Sequence, residues 1–308
     1  MKRRYVTADV FTDQMFGGNP LAVVLDAEGL STQQMQSIAL EFNYSETTFV
    51  LPPKEAAHTA QVRIFTSRAE VPFAGHPNVG TAFLLAYQQR FPDAANIREF
   101  IFEEAAGLVP MKLLRHEGVV VGAELRAPEA LSRRSNVTIE TAANCLSLVP
   151  QDVSARVHAP CVVSVGLPFL VVELASRAAL SRAQPNLAAC SELFPLDGAD
   201  GVFAYTQDAA RSSANETVLH ARMFAPADGV VEDPATGSAT AATLSFLASL
   251  GRNVRPERHW RVHQGADMGR PSLLLGRTTQ HGTENAVHVG GRCVAVMQGS
   301  FELKTLHT

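Results

Sequence analysis

The sequence lacks the features that define membrane, disulfide-stabilised and nucleic-acid-binding proteins. No stretch approaches the ~20 consecutive apolar residues of a membrane helix. The four cysteines, Cys145, Cys161, Cys190 and Cys293, are far apart and form no CxxC pair, which predicts reduced, mostly buried thiols. The 26 Lys and Arg residues are outnumbered by 30 acidic residues, a balance that does not favour a polyanionic partner. We therefore expect a cytoplasmic protein that binds neither membranes nor nucleic acid.

Three chemical signatures are also missing. Ser238 lies in no Gly-x-Ser-x-Gly elbow, which argues against a hydrolase, and no lysine follows Gly80 as a phosphate-binding loop requires. His259 and His263 have the spacing of a zinc helix, but the catalytic glutamate is absent and the neighbouring residues alternate as in a strand. We therefore expect no metal site.

The composition is that of a folded protein with a large core. Hydrophobic residues make up 46% and charged residues 18% of 308 positions, which excludes a disordered chain. This length predicts two domains. The basic start resembles the first part of a signal peptide, but Asp9 and Asp13 interrupt any apolar region after it, so we expect no leader.

The chain contains two internal repeats in the same order. An Arg-x-Phe segment followed by a Pro-x-x-Gly-[Thr/Ser]-Ala segment occurs at residues 63–66 and 75–82 (RIFT, GHPNVGTA) and again at residues 222–225 and 232–239 (RMFA, EDPATGSA). Ahead of these, residues 18–24 and 166–172 both open with Gly-x-Pro and continue as apolar runs. Two matches in the same order predict two homologous halves.

The polar, proline-containing residues 126–135 are typical of a linker between such halves. We expect a first domain over residues 1–130, with the His-Pro helix start, and a second over residues 131–308, with the Asp-Pro helix start. Whether the last strand, near Phe301, returns to the first half stays open. Sequence patterns predict helices over residues 31–41, 78–89 and 235–250, and strands over residues 21–25, 119–121 and 287–296.

Taken together, these motifs resemble the PhzF (phenazine biosynthesis-like) family. The resemblance extends from Gly17 to Gly299 and rests on residues 43–47, 74–77, 232–239, 264–265, 268–272 and 289–291. Two positions depart from the family's usual pattern, since Ser67 replaces a common proline and Asn78 a commoner threonine. Because Asn78 would line the cleft, this departure leaves open a substrate different from that of the phenazine enzyme.

The resemblance implies an α+β, diaminopimelate-epimerase-like fold. Two pseudo-symmetric halves would each form a rolled, mostly antiparallel sheet around a central helix, with the active site in the cleft between them. Family members are commonly homodimers, act on small anionic substrates, and use neither a cofactor nor a metal. Their best-known reaction is the isomerisation of trans-2,3-dihydro-3-hydroxyanthranilate, in which a glutamate moves a proton.

The residues themselves suit such proton transfer. A helix start exposes unpaired N–H groups and the positive end of its dipole, so each Pro-x-x-Gly segment predicts an anion site. Glycines there permit close approach of the backbone, and hydroxyl groups add donors. The predicted substrate-binding residues are Ser45, Gly75, Asn78, Gly80, Thr236, Gly237 and Ser238.

Three titratable residues are the predicted catalytic groups. By resemblance, Glu46 is the acid/base that takes a proton from one carbon and returns it to another. His76 and Asp233 stand just before the proline of each repeat and would adjust Glu46 or handle the proton at the second carbon. Structural explanations stay open: a surface carboxylate for Glu46, a core histidine for His76, and a helix cap for Asp233.

Cysteine pairs perform catalysis in the epimerases and racemases of this fold, but here no cysteine lies near either helix start. A two-thiol mechanism cannot operate, which favours a one-base isomerase. The leading hypothesis is an isomerase that moves a proton or double bond on a small, carboxylate-bearing, cyclic substrate. An epimerase with two opposed bases, and a non-catalytic binding protein of the same fold, are the alternatives.

Overall fold

The computed structural model describes residues 2–88, 97–226, 230–251, 256–281 and 284–303. Two compact units make up the chain, Met1–Leu125 together with Gly290–Thr308, and Arg126–Val289. The boundary lies ahead of the one expected at residue 130, and the C-terminal segment joins the first unit.

The described chain contains both helices and strands, and the strands are the more numerous. The helices are α1 (Thr32–Phe42), α2 (Gly75–Tyr87), α3 (Ile139–Cys145), α4 (Arg177–Arg182), α5 (Leu187–Leu193) and α6 (Gly237–Leu250). The strands are β1 (Lys2–Val10), β2 (Asn19–Val24), β3 (Glu46–Leu51), β4 (Ala60–Thr66), β5 (Glu70–Val71), β6 (Glu99–Glu104), β7 (Gly107–His116), β8 (Val119–Arg126), β9 (Ser132–Asn136), β10 (Cys161–Ser164), β11 (Pro168–Glu173), β12 (Val202–Gln207), β13 (Glu216–Ala225), β14 (Val230–Asp233), β15 (Glu257–Gln264), β16 (Ser272–His281) and β17 (Glu284–Glu302).

The first unit is a closed sheet around a helix. Strand β1 pairs antiparallel with β2, β2 parallel with β3, β3 antiparallel with β4, and β4 parallel with β6. Strands β6, β7 and β8 continue antiparallel, and both β8 and β1 pair with β17, which closes the sheet. Helix α2 contacts β1, β2, β3 and β7, and all of its residues from Gly75 to Ala86 are buried.

Alternation along β3 shows how the strands face this helix. The Thr48 hydroxyl lies 2.8 Å from the Thr81 hydroxyl of α2, so Thr48 points inward. Phe49 points outward, where it packs with Met35 of α1 and, edge to face, with Phe65. Because side chains alternate along a strand, Glu46 faces the same way as Thr48, toward α2.

The second unit repeats this connectivity. Strand β10 pairs antiparallel with β11, β11 parallel with β12, β12 antiparallel with β13, β13 parallel with β15, and β15 antiparallel with β16. Helix α6 contacts β10, β11, β15 and β16, as α2 contacts the strands of the first unit, and its residues from Ala239 to Phe246 are buried. The predicted pseudo-symmetric halves are therefore confirmed.

Each Arg-x-Phe repeat forms the same ion pair. Arg63 on β4 donates two hydrogen bonds of 2.7 and 2.6 Å to Glu70 on β5, and Arg222 on β13 donates two of 2.7 and 2.8 Å to Glu232 on β14. In both units this bidentate pair joins the long strand to the short strand that precedes the central helix. The repeated arginine thus ties the short strand to the long one in each unit.

The three predicted helices are present in the structure, but their ends are shifted. Helix α1 begins after Ser31, whose side chain forms a reciprocal capping box with Gln34. Helix α2 begins three residues earlier than predicted and ends at Tyr87; the predicted last residue, Gln89, lies outside the described residues. Helix α6 begins two residues later than predicted, at Gly237.

Two further predictions can be compared with the fold. All four cysteines are buried, as predicted. His259 and His263 lie on strand β15, where the neighbouring residues alternate as predicted. No helix in the described part of the chain has the length and hydrophobicity to cross a membrane.

Candidate active site

Glu46 is the first residue of β3, at the point where α2 begins. Its Oε2 atom lies 3.5 Å from Nδ1 of His76, the second residue of α2. The Glu46 side chain keeps 19% of its exposure and the His76 side chain 6%, so the carboxylate is the more accessible group. The first unit therefore brings two of the predicted catalytic residues together.

His76 is a neutral imidazole. Burial lowers its pKa to about 3, and the backbone of Pro20 offsets only part of this lowering. Nε2 of His76 is buried and has no hydrogen-bond partner among the described residues. At neutral pH the ring therefore carries no charge and has one nitrogen left to bond with a ligand.

Asn19 connects the histidine to the predicted binding residue Ser45. Nδ2 of Asn19 lies 3.4 Å from Nδ1 of His76, and the Ser45 hydroxyl donates a long, 3.5 Å hydrogen bond to Oδ1 of Asn19. Asn19 is completely buried. It comes from the Gly-x-Pro repeat, so this segment positions the imidazole as well as opening β2.

The start of α2 has no side-chain cap. Its N-cap residue is Ala74, and no side chain accepts a hydrogen bond from the first turn. Gly75 is the first helical residue and Pro77 the third, so the proline stands among positions whose N–H groups have no partner within the helix. The remaining N–H groups of this turn suit an anionic group of a ligand.

Asn78 is also in this turn and is completely buried. The amide lies beside the carboxyl of Glu104, the last residue of β6, whose two oxygens are also buried. Burial raises the pKa of Glu104 to about 8, and nearby Asn78 only partly opposes this.

The preceding residue, Glu103, has the opposite environment. Its carboxylate accepts hydrogen bonds from the backbone N–H groups of Lys54 and Glu55, at 2.8 and 2.9 Å, and lies 2.8 Å from Nδ1 of His58. These contacts lower the pKa of Glu103 to about 2. Neighbouring residues of a strand face opposite sides, so the two carboxyl groups have different surroundings. At neutral pH Glu103 is ionised and hydrogen-bonded, whereas Glu104 is protonated.

In the second unit, Asp233 ends β14 and Thr236 is the N-cap of α6. The Thr236 hydroxyl donates to Oδ2 of Asp233. Gln264 of β15 donates to the Asp233 backbone carbonyl at 2.9 Å and accepts from the Thr236 backbone N–H at 3.2 Å. Asp233 is therefore not the helix cap, and its carboxylate is held by a side chain of the same loop.

Gly237 and Ser238 are the first two residues of α6, and the helix has no side-chain cap. Ser238 is half-buried, and its hydroxyl stands in the first turn. Gly265, with φ +73°, lies against this loop, since a Cβ there would come within 2.6 Å of the Pro234 carbonyl oxygen. Only glycine fits this close approach.

Gly80 has a packing explanation instead. It lies more than a turn into α2, and a Cβ at this position would come within 2.5 Å of Leu21 Cδ2 and 2.7 Å of Val10 Cγ2. The glycine lets α2 pack closely against β1 and β2. The space beside it is filled by the sheet.

Sequence reasoning missed three residues of these sites. Asn19 was noticed only as part of a repeat, and Gln264 only as part of the family motif. Glu104 was not identified at all, although the adjacent pair Glu103 and Glu104 at the end of an alternating strand was a usable signal.

Comparison with known proteins shows which family the chain belongs to. The family model described as phenazine biosynthesis-like protein (PhzC-PhzF) matches residues 8–299. The chain belongs to the PhzF family. An uncharacterized isomerase of Mesorhizobium japonicum is 39% identical to it, over 97% of this chain and 98% of that protein. The trans-2,3-dihydro-3-hydroxyanthranilate isomerase of Pseudomonas aeruginosa is 37% identical, over 96% and 98%.

A solved structure supports the fold. The predicted epimerase from Pseudomonas aeruginosa is 31% identical to this chain and superposes with a TM-score of 0.79, over 98% of this chain and all of that one. The predicted diaminopimelate-epimerase-like fold is confirmed. Because curated PhzF-family relatives are isomerases, the prediction that the chain is an isomerase is also confirmed.

Proposed function

We propose that this PhzF-family protein moves a proton on a small, cyclic, carboxylate-bearing substrate such as trans-2,3-dihydro-3-hydroxyanthranilate, with Glu46 as the acid/base. The observation that carries the proposal is the approach of Glu46 to the buried, neutral His76, 3.5 Å away, at the uncapped start of α2. The relative at 37% identity supports the choice of substrate.

The chemistry follows from these groups. The Glu46 carboxylate takes a proton from one ring carbon, so that a C–H bond breaks, an O–H bond forms and the electron pair enters the conjugated ring. Glu46 then returns the proton to another carbon, and the carboxylate is restored. His76 does not compete for this proton, because burial disfavours its charged form. The transfer requires neither a metal nor a cofactor.

In this proposal the N-terminal ends of α2 and α6 bind the negatively charged groups of the substrate. N–H groups at Gly75 and Asn78 would stabilise the carboxylate and the charge that develops on deprotonation. In the second unit, Thr236, Gly237 and Ser238 would serve in the same way. The assignment of Asp233 to the second carbon rests on its motif and on the Thr236 hydrogen bond that orients it.

The test is proton NMR of the purified protein with trans-2,3-dihydro-3-hydroxyanthranilate in D2O. With the wild type, the ring-proton signals of the substrate should disappear and deuterium should be incorporated into the ring. Glu46→Gln should lower kcat by roughly 10²- to 10⁴-fold, the usual contribution of an acid/base group. Glu41→Gln, an exposed substitution nearby on α1, is the matched control and should leave kcat unchanged. Unchanged activity in Glu46→Gln would refute the assignment.

An epimerase is the second candidate, because the relative at 31% identity is named a predicted epimerase. An epimerase would invert one carbon and place solvent deuterium only in the inverted product. An isomerase moves the proton between two carbons and changes the position of a double bond. The same NMR experiment separates the two reactions.

We also propose that the protein is a cytoplasmic homodimer that does not bind nucleic acid. The buried, unpaired cysteines support a reducing compartment, and the excess of acidic over basic residues supports the absence of a polyanionic partner. The dimer rests on the family resemblance. Light scattering of the purified protein tests it, and a monomer at micromolar concentration would overturn it.

A further inference from the structure

Gln264, the last residue of β15, is almost completely buried against the loop that carries Asp233. Its Nε2 atom donates to the Asp233 backbone carbonyl at 2.9 Å and to the Thr236 hydroxyl at 3.1 Å. Its Oε1 atom accepts from the Thr236 backbone N–H at 3.2 Å. One side chain therefore connects β15 to both ends of the turn that leads into α6.

These partners allow only one orientation of the Gln264 amide. A backbone carbonyl can only accept a hydrogen bond, and a backbone N–H can only donate one. The nitrogen must therefore face the Asp233 carbonyl and the oxygen must face the Thr236 N–H, because the reverse orientation would bring two acceptors together and two donors together. The N–H group that reaches the Thr236 hydroxyl is thereby fixed as a donor.

The direction of the next hydrogen bond follows from this orientation. The Thr236 hydroxyl has a single hydrogen and already accepts from Gln264, so its own hydrogen is directed to its other partner, Oδ2 of Asp233. The hydrogen bonds thus run from Gln264 through Thr236 to the Asp233 carboxylate. A hydrogen bond donated to a carboxylate favours its ionised form, and a hydroxyl that itself accepts a hydrogen bond is a stronger donor.

This chain of hydrogen bonds is not a general feature of the repeated scaffold. In both units the strand parallel to the Arg-x-Phe strand pairs with it in the same register, so Glu104 is the counterpart of Gln264. Val79 stands at the position of Thr236 in the repeat and has no hydroxyl group. The chain can therefore form only in the unit that contains Asp233, as expected if it serves this carboxylate rather than the fold.

We propose that Gln264 is a positioning residue for the reaction, which acts through the Thr236 hydroxyl to hold the Asp233 carboxylate ionised and in one orientation. This inference rests on the proposed function, because Asp233 is assigned there to the second carbon. It extends that assignment to a residue 31 positions away in the chain. It also gives the Thr236 hydroxyl a role toward Asp233 rather than toward the substrate.

The experiment measures kcat and KM of the full chain with trans-2,3-dihydro-3-hydroxyanthranilate. Thr236→Val exchanges the hydroxyl for a methyl group of similar size and should lower kcat about 10- to 100-fold, the range for one hydrogen bond to a charged group. KM should stay within about 3-fold, because the variant keeps the backbone N–H groups of the helix start. Thr236→Ser keeps the hydroxyl and should keep kcat within about 3-fold of the wild type.

A double variant tests whether Gln264 acts through Thr236. Gln264→Met keeps the length of the side chain but removes its hydrogen bonds, and it should lower kcat to a similar extent. Added to Thr236→Val, it should lower kcat by no more than about a further 3-fold, because the hydroxyl through which it acts is already gone. Losses of kcat that multiply would show two independent roles and would overturn the proposal.

Thr240→Val is the matched control, the same substitution one turn further along α6. The Thr240 hydroxyl is buried and has no hydrogen-bond partner among the described residues, so kcat and KM should both stay unchanged. Thermal unfolding verifies that all variants fold. A loss of kcat in Thr240→Val as large as that in Thr236→Val would show that helix packing is responsible, and the proposal would be wrong.

Asp233→Asn separates the two proposals. If Asp233→Asn lowers kcat but Thr236→Val and Gln264→Met leave it unchanged, the positioning role is overturned and the proposed function stands. If Asp233→Asn leaves kcat unchanged while Glu46→Gln lowers it, the shuttle stands, and both the role of Asp233 and this inference fall. A wild type that does not turn over the substrate removes the proposed function and this inference with it.

Discussion

Replacing Glu104 by glutamine exchanges a buried titrating group for a neutral one of nearly the same size. In the folded protein burial raises the Glu104 pKa from 4.5 to about 8. The unfolded chain therefore releases this proton near pH 4.5, while the folded protein keeps it up to about pH 8. Because the folded state binds the extra proton, this group makes the protein less stable as the pH rises between these two values.

The magnitude follows from linkage. With pKa values of 4.5 and about 8, the destabilisation from Glu104 is about 1.4 kcal/mol at pH 5.5 and about 4 kcal/mol at pH 7.5. Glu104→Gln removes this dependence on pH. The difference in unfolding free energy, mutant minus wild type, should therefore increase by about 2.5 kcal/mol between these two pH values. The cost of burying a neutral polar group is similar for the acid and the amide, so it largely cancels.

Urea unfolding of both proteins at pH 5.5 and 7.5 measures this difference. Comparing mutant with wild type at each pH removes the titration of every other group.

Glu103→Gln is the matched control, the same substitution one residue earlier. Since contacts lower the Glu103 pKa to about 2, its charge stabilises the fold above pH 4.5 and this stabilisation is lost as the pH falls toward 2. Glu103→Gln should therefore destabilise the protein at both pH values.

If Glu104→Gln stabilises the protein at pH 7.5 and Glu103→Gln destabilises it, then Glu104 faces the interior and Glu103 faces its hydrogen-bond partners. If the difference for Glu104→Gln is the same at pH 5.5 and 7.5, the native carboxyl is ionised. The reasoning about Glu104 would then be refuted.

Three further predictions concern stability and are measured by urea unfolding. Burial lowers the pKa of His76 from 6.5 to about 3, so below pH 6.5 the unfolded chain binds a proton that the folded protein does not, and the fold loses stability. Between pH 7 and 5, the unfolding free energy of His76→Gln should therefore fall by about 2 kcal/mol less than that of the wild type. An equal fall would contradict a neutral imidazole. Arg222→Met should lower the unfolding free energy by about 3 kcal/mol and Arg63→Met by about 1 kcal/mol. The difference is expected because Arg222 is the more buried of the two arginines. Equal losses would contradict this explanation. Gly80→Ala should lower the unfolding free energy by about 1–3 kcal/mol, because the added methyl group overlaps Leu21. In a protein that already carries Leu21→Ala, the same substitution should lower it by less. Additive effects of the two substitutions would rule out the overlap.

The sequence was sufficient for features encoded in short segments. The repeated Arg-x-Phe and Pro-x-x-Gly segments predicted two similar halves, because in each unit the arginine pairs with a glutamate of the short strand ahead of the central helix. Ser31 predicted the beginning of α1 because its cap is made with Gln34, three residues away. The Glu46 and His76 assignments came from motifs, and the fold brings these two residues together.

Features that depend on distant segments escaped prediction. Helix α2 begins earlier than predicted because Ala74, its N-cap, carries no capping side chain that would mark the start. Gly80 was interpreted as a binding residue because the close approach of Leu21, 59 positions away in the chain, is visible only after folding. Glu104 could be predicted to face opposite to Glu103, but which of them faces inward depends on how the sheet closes.

The two units use one scaffold for unlike chemistry. In each, a bidentate arginine fixes a short strand beside a longer one, and the chain enters the central helix directly afterwards. The two units share this arrangement but differ in the residue before the proline. In the first unit it is a neutral histidine within the helix, beside Glu46; in the second it is Asp233, before the helix and bonded by Thr236. Because the proposed shuttle takes and returns the proton with one carboxylate, Glu46, it needs no matched pair of groups, and this divergence on a common scaffold agrees with the proposed one-base mechanism.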